Sequence, residues 1–215
     1  MGPSVVSDAG PDFSGKSVLC VEPSTLSGGL KLPPSKSHAM RWLTLASMDV
    51  KPTKIVMWEI GKDVLAMIDC LEQLGIKWES DTISGGKLSQ PSGTLDCKNS
   101  GTALRFLIGQ SATCNFKISI DGDASLRARS SLQLLESLCI EFNSKQNTSE
   151  LPIDITGPFN LQNIEIDVSK TSQFYSSLML MAPRTNGFNI STCLLYTSDA
   201  ADDTPCVDLG GRRII

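Results

Sequence analysis

The sequence predicts an α/β (α+β) protein built from repeated βαβαββ units. Three segments share one pattern, in which a short β-type run is followed by a loop of small polar residues and then by a helical pattern. They read GGLKLPPSKSHAMRWLTLASM, SGTLDCKNSGTALRFLIGQSA and IEIDVSKTSQFYSSLMLMAP, with loops centred near residues 36, 99 and 171. The stretches GKDVLAMIDCLEQLGIKWES and LRARSSLQLLESLCIEFNS also correspond, since each predicts a helix followed by a strand. The chain therefore contains two units and the opening of a third.

The first unit begins after the N-terminal stretch. Its predicted elements are a strand at 29–32, a helix at 37–48, a strand at 54–58, a helix at 62–74 and a strand at 76–80. Ser35 or Ser37 can cap the first helix, because a serine side chain accepts a hydrogen bond from a free backbone N–H. The second helix has apolar residues at helical spacing and ends before Gly75.

The second unit repeats these patterns and the third unit starts again. The predicted strands lie at 93–97, 116–120, 139–142, 151–155 and 164–168, and the predicted helices at 101–112, 130–138 and 172–182. The helices at 101–112 and 172–182 follow small polar residues, and the helix at 130–138 carries leucines on one face. Strand and helix lengths are those of an ordinary mixed fold.

Length, charge and hydropathy restrict the class of protein. Of the 215 residues, 40% are hydrophobic and 20% are charged, as in soluble globular proteins. The net charge of −4 argues against a general nucleic-acid binder, which would show a basic stripe. The apolar runs are shorter than the roughly 18 residues that a membrane-spanning helix needs. We therefore expect no nucleic acid and no membrane among the partners.

The seven cysteines and the single histidine predict no metal site. The cysteines show no C-x-x-C spacing, and one histidine cannot complete the usual zinc sets. Most of the cysteines lie among apolar neighbours. This pattern is typical of reduced, buried thiols in a cytoplasmic protein.

Residues 193–215 do not continue the pattern. The segment SDAADDTPC, which follows the last apolar run, is typical of neither a helix nor a strand. We expect a non-native tail that resembles translated adapter sequence, and hence a longer native protein. The alternative is a genuine acidic tail. Without this segment the chain has 17 basic and 19 acidic residues, so the net charge of −2 leaves the conclusion on partners unchanged.

The first polar loop, LPPSKSHAMR, concentrates groups that bind anions. Lys36 and Arg41 lie near a helix start, where free backbone N–H groups carry a partial positive charge. Ser37 is four residues before Arg41, so the two share a helix face. His38 suggests a catalytic base, but a capping or surface histidine is the preferred interpretation. Taken alone, this loop favours a solvated helix start over a site.

Repetition of this chemistry changes that interpretation. KNSGTALR places Gly101 and Arg105 at a second helix start, and SLRARS adds Arg127 and Arg129 before a third. SKTSQF adds small hydroxyls and an amide at a fourth. The S-K-S of the first loop does not fit the phosphate-binding pattern G-x-x-x-x-G-K-[ST]. The DGD segment of IDGDASLR is interpreted first as a turn. Four such helix starts predict a ligand with more than one anionic group.

These stretches together resemble the 5-enolpyruvylshikimate-3-phosphate (EPSP) synthase family. LPPSKSHAMR is similar to its LPGSKS-x-x-x-R signature, and KNSGTALRFL to its GNAGTAMRPL segment. DGDASLRARSSLQLLESL resembles its DG-x-x-x-x-R-x-R-P-x-x-x-L-x-x-x-L region. SKTSQFYSSLMLMAP resembles S-S-Q-[FY]-x-[ST]-x-L-L-x-A-P. The resemblance covers residues from about 27 to 192 in order.

The resemblance implies a fold and a reaction. The family has two similar domains, each of three βαβαββ units. Residues 26–192 would form most of the first domain, and residues 1–25 would pair with a missing second domain. The implied reaction transfers the carboxyvinyl group of phosphoenolpyruvate to the 5-hydroxyl of shikimate 3-phosphate in the shikimate pathway of aromatic amino acid biosynthesis. It needs no metal and no organic cofactor, and the full-length protein would be a monomer.

Site residues follow from motif positions. Shikimate 3-phosphate would be held by Lys36, Ser37, Arg41, Thr171, Ser172 and Gln173. Phosphoenolpyruvate would be held by Lys36, Asn99, Gly101, Arg105 and Arg129. Lys36 would contact both substrates and is the candidate catalytic residue. The family's proton-transferring carboxylates lie in its second half, so we assign no acid or base and expect the fragment to be inactive alone.

The chain departs from the family pattern at several positions. Phe106 stands where the family usually has proline, which could reshape the helix that carries Arg105 and leaves sensitivity to the inhibitor glyphosate open. Pro34, Ser130 and Thr171 are milder departures. Two alternatives are a UDP-N-acetylglucosamine enolpyruvyl transferase, which has Lys-Asn in place of Lys-Ser, and a non-catalytic phosphate-binding module of the same fold.

Overall fold

The computed structural model describes residues 23, 25, 27–29, 33–144, 151–169 and 171–192. Contacts between Cα atoms divide the chain into residues 1–32 and 33–215. All described helices and strands belong to the second unit. The predicted strand at 29–32 and the segment 1–25 lie mostly outside the described residues, and the tail 193–215 lies wholly outside them. The predicted division at residues 25 and 192 stays a prediction.

The first repeat contains two helices and a three-stranded antiparallel sheet. Its elements are α1 (Lys36–Ala46), β1 (Thr53–Lys54), α2 (Lys62–Gln73), β2 (Lys77–Glu79) and β3 (Thr82–Ser84). β3 lies between β1 and β2 and is antiparallel to both. β3 was not predicted, and β1 is shorter than the strand predicted at 54–58. The turn between β2 and β3 consists of Ser80 and Asp81, both with positive φ, a hairpin geometry usually signalled by Asn-Gly.

The last three strands of the second repeat pair in the same order as the three strands described in the first. Its elements are β4 (Leu95–Asp96), α3 (Gly101–Ala112), β5 (Lys117–Asp121), α4 (Ala124–Arg127), α5 (Leu132–Leu138), β6 (Glu141–Ser144) and β7 (Ile153–Thr156). β4 is parallel to β5, and β7 lies between β5 and β6, antiparallel to both. The short helix α4 was not predicted, and α5 begins two residues later than expected. Asp123 caps α4 as a separate turn of helix, and Ser131 occupies the N-cap position of α5.

The third repeat opens with a parallel strand pair. β8 (Asn163–Ile166) is followed by α6 (Gln173–Met181), a 3-10 turn at Ala182–Arg184 and β9 (Asn189–Thr192). β8 and β9 are parallel and joined through α6, as β4 and β5 are joined through α3. β9 was not predicted from the sequence. The α/β class and the repeated βαβαββ topology are confirmed.

Helix α3 lies at the centre of the core. Eleven of its twelve residues are buried, and Arg105 is the exception. The helix is apolar or small on all sides, which is typical of a helix surrounded by other elements. It packs most extensively against α6 and also contacts α1, α2 and α5. Arg105 is therefore attached to a helix that is fixed on all sides by the core.

The close approach of α3 and α6 depends on Gly109. A Cβ added there would lie 2.5 Å from Ser177 Oγ and 3.0 Å from the Ser177 carbonyl oxygen. We expect Gly109→Ala to lower the free energy of unfolding by about 1–3 kcal/mol, because backbone must move to admit the methyl group. Urea denaturation measures the change. Gly93→Ala is the control, since its Cβ would meet open space. Equal stabilities of the two variants would contradict this account of the helix contact.

Candidate functional site

The first polar loop forms the N-terminus of α1. Ser35 is the N-cap, and its hydroxyl accepts a hydrogen bond from the backbone N–H of His38 at 3.4 Å. Of the two predicted capping serines, Ser35 therefore has this role. The side chain of His38 is exposed at this helix start, as the surface interpretation expected. Lys36 is the first residue of the helix, and its Nζ lies 2.8 Å from Asp63 Oδ2.

Arg41 joins α1 to α6 and α3. Its Nη1 donates to the hydroxyl of Ser37 and, at 3.2 Å, to the Ser37 carbonyl oxygen. Its Nη2 donates to Ser176 Oγ at 3.2 Å. The guanidinium also lies over the ring of Phe106, 5.9 Å from the ring centre. The predicted pairing of Ser37 and Arg41 on one face is confirmed. Phe106 is fully buried, and α3 is continuous through it.

Arg105 is held between α3 and α6. Its Nη1 donates to Gln173 Oε1, and Gln173 Nε2 donates to Thr102 Oγ1 at 3.1 Å. The guanidinium carbon lies 5.4 Å from the centre of the Phe174 ring. Arg105 Nε is buried and has no hydrogen-bond partner among the described residues. Burial, and to a lesser extent the charge of Arg129, lowers the pKa of Arg105, so a bound anion would relieve an unfavourable environment.

The guanidinium groups of Arg105 and Arg129 converge on Gly101. A Cβ added to Gly101 would lie 3.1 Å from Arg105 Nη1 and 3.5 Å from Arg129 Nη1. Arg129 Nη2 donates to Asn99 Oδ1 at 2.7 Å and to Ser125 Oγ at 3.1 Å. Two like charges thus face the N-terminus of α3, whose free N–H groups also favour an anion. Glycine leaves the space between them unfilled.

A tight turn positions the loop before α3. Lys98 has positive φ, and its carbonyl oxygen accepts a hydrogen bond from the N–H of Asp123 at 2.8 Å. A Cβ at Gly122 would come within 2.7 Å of the same carbonyl oxygen. Asp123 also caps α4 through the N–H of Leu126. The predicted turn at DGD is therefore also the support for the loop that carries Asn99.

Arg127 is not grouped with Arg129 in the structure, although the sequence pattern predicted both as anion-binding groups. Its Nε and Nη2 donate to the two carboxylate oxygens of Asp121 at 3.0 and 2.6 Å. This bidentate pair closes the turn locally. Arg127 lines a different pocket from Arg129.

One open pocket of about 770 Å³ collects predicted residues from both repeats. Lys36, Asn99 and Arg129 line it. The remaining lining residues are Lys62, Asp63, Leu65, Ala66, Asp69, Lys98 and Asp123. None of these seven residues was among the predicted site residues. The polar start of α2, GKD, was the sequence signal for these residues, but it served only to predict where the helix begins.

The other predicted site residues lie outside this pocket. Ser37 and Arg41 form one group, and Arg105 and Gln173 form a second. At the start of α6, Thr171 Oγ1 accepts a hydrogen bond from the N–H of Gln173 at 3.2 Å, while Ser172 occupies the N-cap position. The structure therefore connects the two predicted substrate sides through Gln173. The described residues include no group of three or more His, Cys, Asp or Glu side chains that could hold a metal ion.

Sequence comparison identifies relatives along most of the chain. The sequence profile of EPSP synthase (3-phosphoshikimate 1-carboxyvinyltransferase) matches residues 21–198. A 3-phosphoshikimate 1-carboxyvinyltransferase of Methanocorpusculum labreanum is 36% identical over 173 residues, covering 77% of this chain and 41% of the relative. Another, from Caldicellulosiruptor saccharolyticus, is 31% identical over 204 residues, covering 85% and 47%. The chain thus spans less than half the length of the curated relatives it matches.

Solved structures agree with this relationship. Two structures of EPSP synthase from Acinetobacter baumannii have a TM-score of 0.65 to this chain, with 24% and 25% sequence identity. Each comparison covers 72% of this chain and 38% of the solved chain. They support the fold, and the sequence profile supports the family. The chain belongs to the EPSP synthase (3-phosphoshikimate 1-carboxyvinyltransferase) family.

Proposed function

We propose that the protein to which this chain belongs transfers the carboxyvinyl group of phosphoenolpyruvate to the 5-hydroxyl of shikimate 3-phosphate. The observation that carries the proposal is the convergence of Arg105 and Arg129 on Gly101. Two guanidinium groups that face one unfilled space at a helix N-terminus are suited to a carboxylate or a phosphate. Both proposed substrates carry such groups.

The chain's contribution to the reaction is binding and orientation. In the proposed reaction, the 5-hydroxyl oxygen bonds to C2 of phosphoenolpyruvate, the hydroxyl proton leaves and C3 gains a proton. The addition intermediate then loses phosphate from C2 and a proton from C3, which restores the double bond. Holding two anions next to each other requires cations, because they otherwise repel. Lys36 is the candidate for contact with both anions.

The two substrate sides are assigned to separate groups of residues. We place shikimate 3-phosphate beside Ser37 and Arg41 of α1 and the start of α6, at Thr171, Ser172 and Gln173. We place phosphoenolpyruvate beside Asn99, Gly101, Arg105 and Arg129. The contact between Gln173 and Arg105 supports an arrangement in which the sides are adjacent.

The proposal extends to partners and compartment. We propose small anionic substrates, a monomeric full-length protein and a cytoplasmic location, without a metal or organic cofactor. Cys70, Cys97 and Cys114 are buried free thiols, which is compatible with a reducing compartment. The described part of the chain contains no helix that is long and apolar enough to cross a membrane. The alternative UDP-N-acetylglucosamine enolpyruvyl transferase has less support, because the matching profile and relatives carry the other name.

Calorimetric titration of the 215-residue chain with shikimate 3-phosphate tests the proposal. We expect a dissociation constant of about 0.1 mM, equivalent to about 5.5 kcal/mol, since only part of the proposed contacts is present. Shikimate is the matched control, and we expect no measurable binding because it lacks the phosphate. Equal binding of the two compounds, or none of either, would contradict the assignment.

The same preparation tests the expected loss of catalysis. The chain spans less than half the length of its curated relatives, so we expect no release of phosphate from phosphoenolpyruvate in the presence of shikimate 3-phosphate. A colorimetric phosphate assay measures this. Turnover that follows the concentration of the pure chain would show that these residues suffice for the reaction.

A further inference from the structure

Three carboxylates line the open pocket that contains Lys36, Asn99 and Arg129. The pocket has four cations, Lys36, Lys62, Lys98 and Arg129, and three acids, Asp63, Asp69 and Asp123. Each acid repels an anionic ligand, so each needs a physical reason to be there. Asp123 has one, because its side chain caps α4 through the N–H of Leu126 at 2.8 Å.

Asp63 and Asp69 differ in what they contact. Asp63 Oδ2 accepts a hydrogen bond from Lys36 Nζ at 2.8 Å. Within the described part of the chain, the carboxylate of Asp69 makes no hydrogen bond and no ion pair. Both residues belong to α2, and both line the same pocket. Variants of Asp63 and Asp69 can therefore be compared to separate the effect of a negative charge in the pocket from the effect of holding Lys36.

We propose that Asp63 is a positioning residue, which holds the ammonium of Lys36 in the pocket for the anionic substrates. This inference rests on the proposed function. A lysine ammonium has three donors, and the bond to Asp63 uses one and directs the other two. The lysine stem is flexible, so an unpaired Lys36 would sample many rotamers in solvent.

The position of Asp63 in the fold suits this role. It lies in the first turn of α2, where the free N–H groups favour a carboxylate. The buried face of α2, which includes Val64 and Met67, fixes this turn against the core. The side chain of Lys36 is 59% exposed and that of Asp63 is 27% exposed. An ion pair this exposed adds little to the free energy of folding, so the contact between Lys36 and Asp63 is not explained by its own contribution to stability.

Acetylation kinetics test the ion pair without any ligand. The full chain is treated with a limiting amount of an acetylating reagent, and mass spectrometry follows Lys36 relative to Lys62. We expect Asp63→Asn to raise the relative rate at Lys36 about threefold, because the amine is released from the carboxylate. Asp69→Asn should leave the rate unchanged, and Asp63→Glu should keep it near the wild-type value. An unchanged rate in Asp63→Asn overturns the proposal.

Titration with shikimate 3-phosphate at low ionic strength then tests the consequence. Both asparagine variants remove one negative charge from the pocket, so simple electrostatics predicts tighter binding in both. We expect about threefold tighter binding for Asp69→Asn but at least threefold weaker binding for Asp63→Asn. If Asp63→Asn binds as tightly as Asp69→Asn, this inference fails while the proposed function stands. If the wild type does not bind, the proposed function fails and this inference fails with it.

Discussion

Arg41→Ala is expected to raise the dissociation constant for shikimate 3-phosphate about 100-fold, which takes binding beyond the range of calorimetry. The factor corresponds to about 2.7 kcal/mol, a typical effect of losing a charge-assisted pair of hydrogen bonds. Arg41 is also held by Ser37, Ser176 and the ring of Phe106. Its guanidinium is therefore oriented before a ligand arrives, and little side-chain entropy is lost on binding.

Two variants separate the role of Arg41 from a general loss of positive charge. Arg41→Lys keeps the charge but not the planar fork, so we expect an intermediate loss of about tenfold. Arg127→Ala removes a guanidinium that pairs with Asp121 in another pocket, and we expect binding within about twofold of wild type. Thermal unfolding of each variant checks that the chain is folded. A folded Arg41→Ala variant that binds like wild type would remove Arg41 from the site.

The central elements of the fold were predictable from local sequence. Helix α3 has the bounds expected from its apolar pattern, because Ser100 caps it and small residues fill its first turn. The starts of α1 and α6 are each within one residue of the prediction. These helices carry most of the proposed site. Repeated local patterns therefore identified both the fold and the residues on which the anion proposal rests.

The missed elements are those that tertiary contacts define. β3 has three residues and becomes a strand because it pairs with β1 and β2. β9 forms beside β8, which precedes it by more than twenty residues. Strands this short have little propensity of their own, so packing and pairing decide them. A single sequence does not contain that information in any local window.

Several contacts at the site join residues that are distant in sequence. Lys36 and Asp63 are 27 residues apart, and Arg41 and Ser176 are 135 residues apart. Motifs predicted one partner of each pair, Lys36 and Arg41, because cations at helix starts are conspicuous. The other partners are an aspartate in an ordinary amphipathic helix and one serine among several. Only the packing of α1 against α2 and α6 selects them.

Arg184, at the end opposite the proposed site, is expected to have the largest effect on stability. Its Nε donates to Gln110 Oε1 at 2.7 Å, its Nη1 donates to the Gly86 carbonyl oxygen, and its Nη2 donates to the Ser47 carbonyl oxygen at 3.2 Å. Ser47 is the C-cap of α1, so the guanidinium also complements the negative end of that helix. One side chain thus ties α1, α3 and the loop after β3 to the end of α6.

Arg184→Met should lower the free energy of unfolding by about 3 kcal/mol, measured by urea denaturation. Methionine keeps much of the apolar stem but leaves the Gly86 carbonyl group and the amide oxygen of Gln110 without their donors, while the Ser47 carbonyl oxygen keeps only the N–H of Gly86. Each unsatisfied group costs about 1–3 kcal/mol when buried, and access to solvent on the pocket side reduces the sum. Gln110 is fully buried, and its Nε2 donates to the Leu180 carbonyl oxygen, so rotation cannot restore the lost bond without breaking another.

Lys87→Met is the matched control for this prediction. Lys87 lines the same pocket as Arg184 but is exposed, so its replacement removes a positive charge without removing buried hydrogen bonds. We expect its stability to stay within about 0.5 kcal/mol of wild type. If Arg184→Met and Lys87→Met unfold at the same urea concentration, the three hydrogen bonds do not hold the helix ends together. A large loss confined to Arg184→Met would show that the helices carrying the proposed anion site are fixed from their opposite ends.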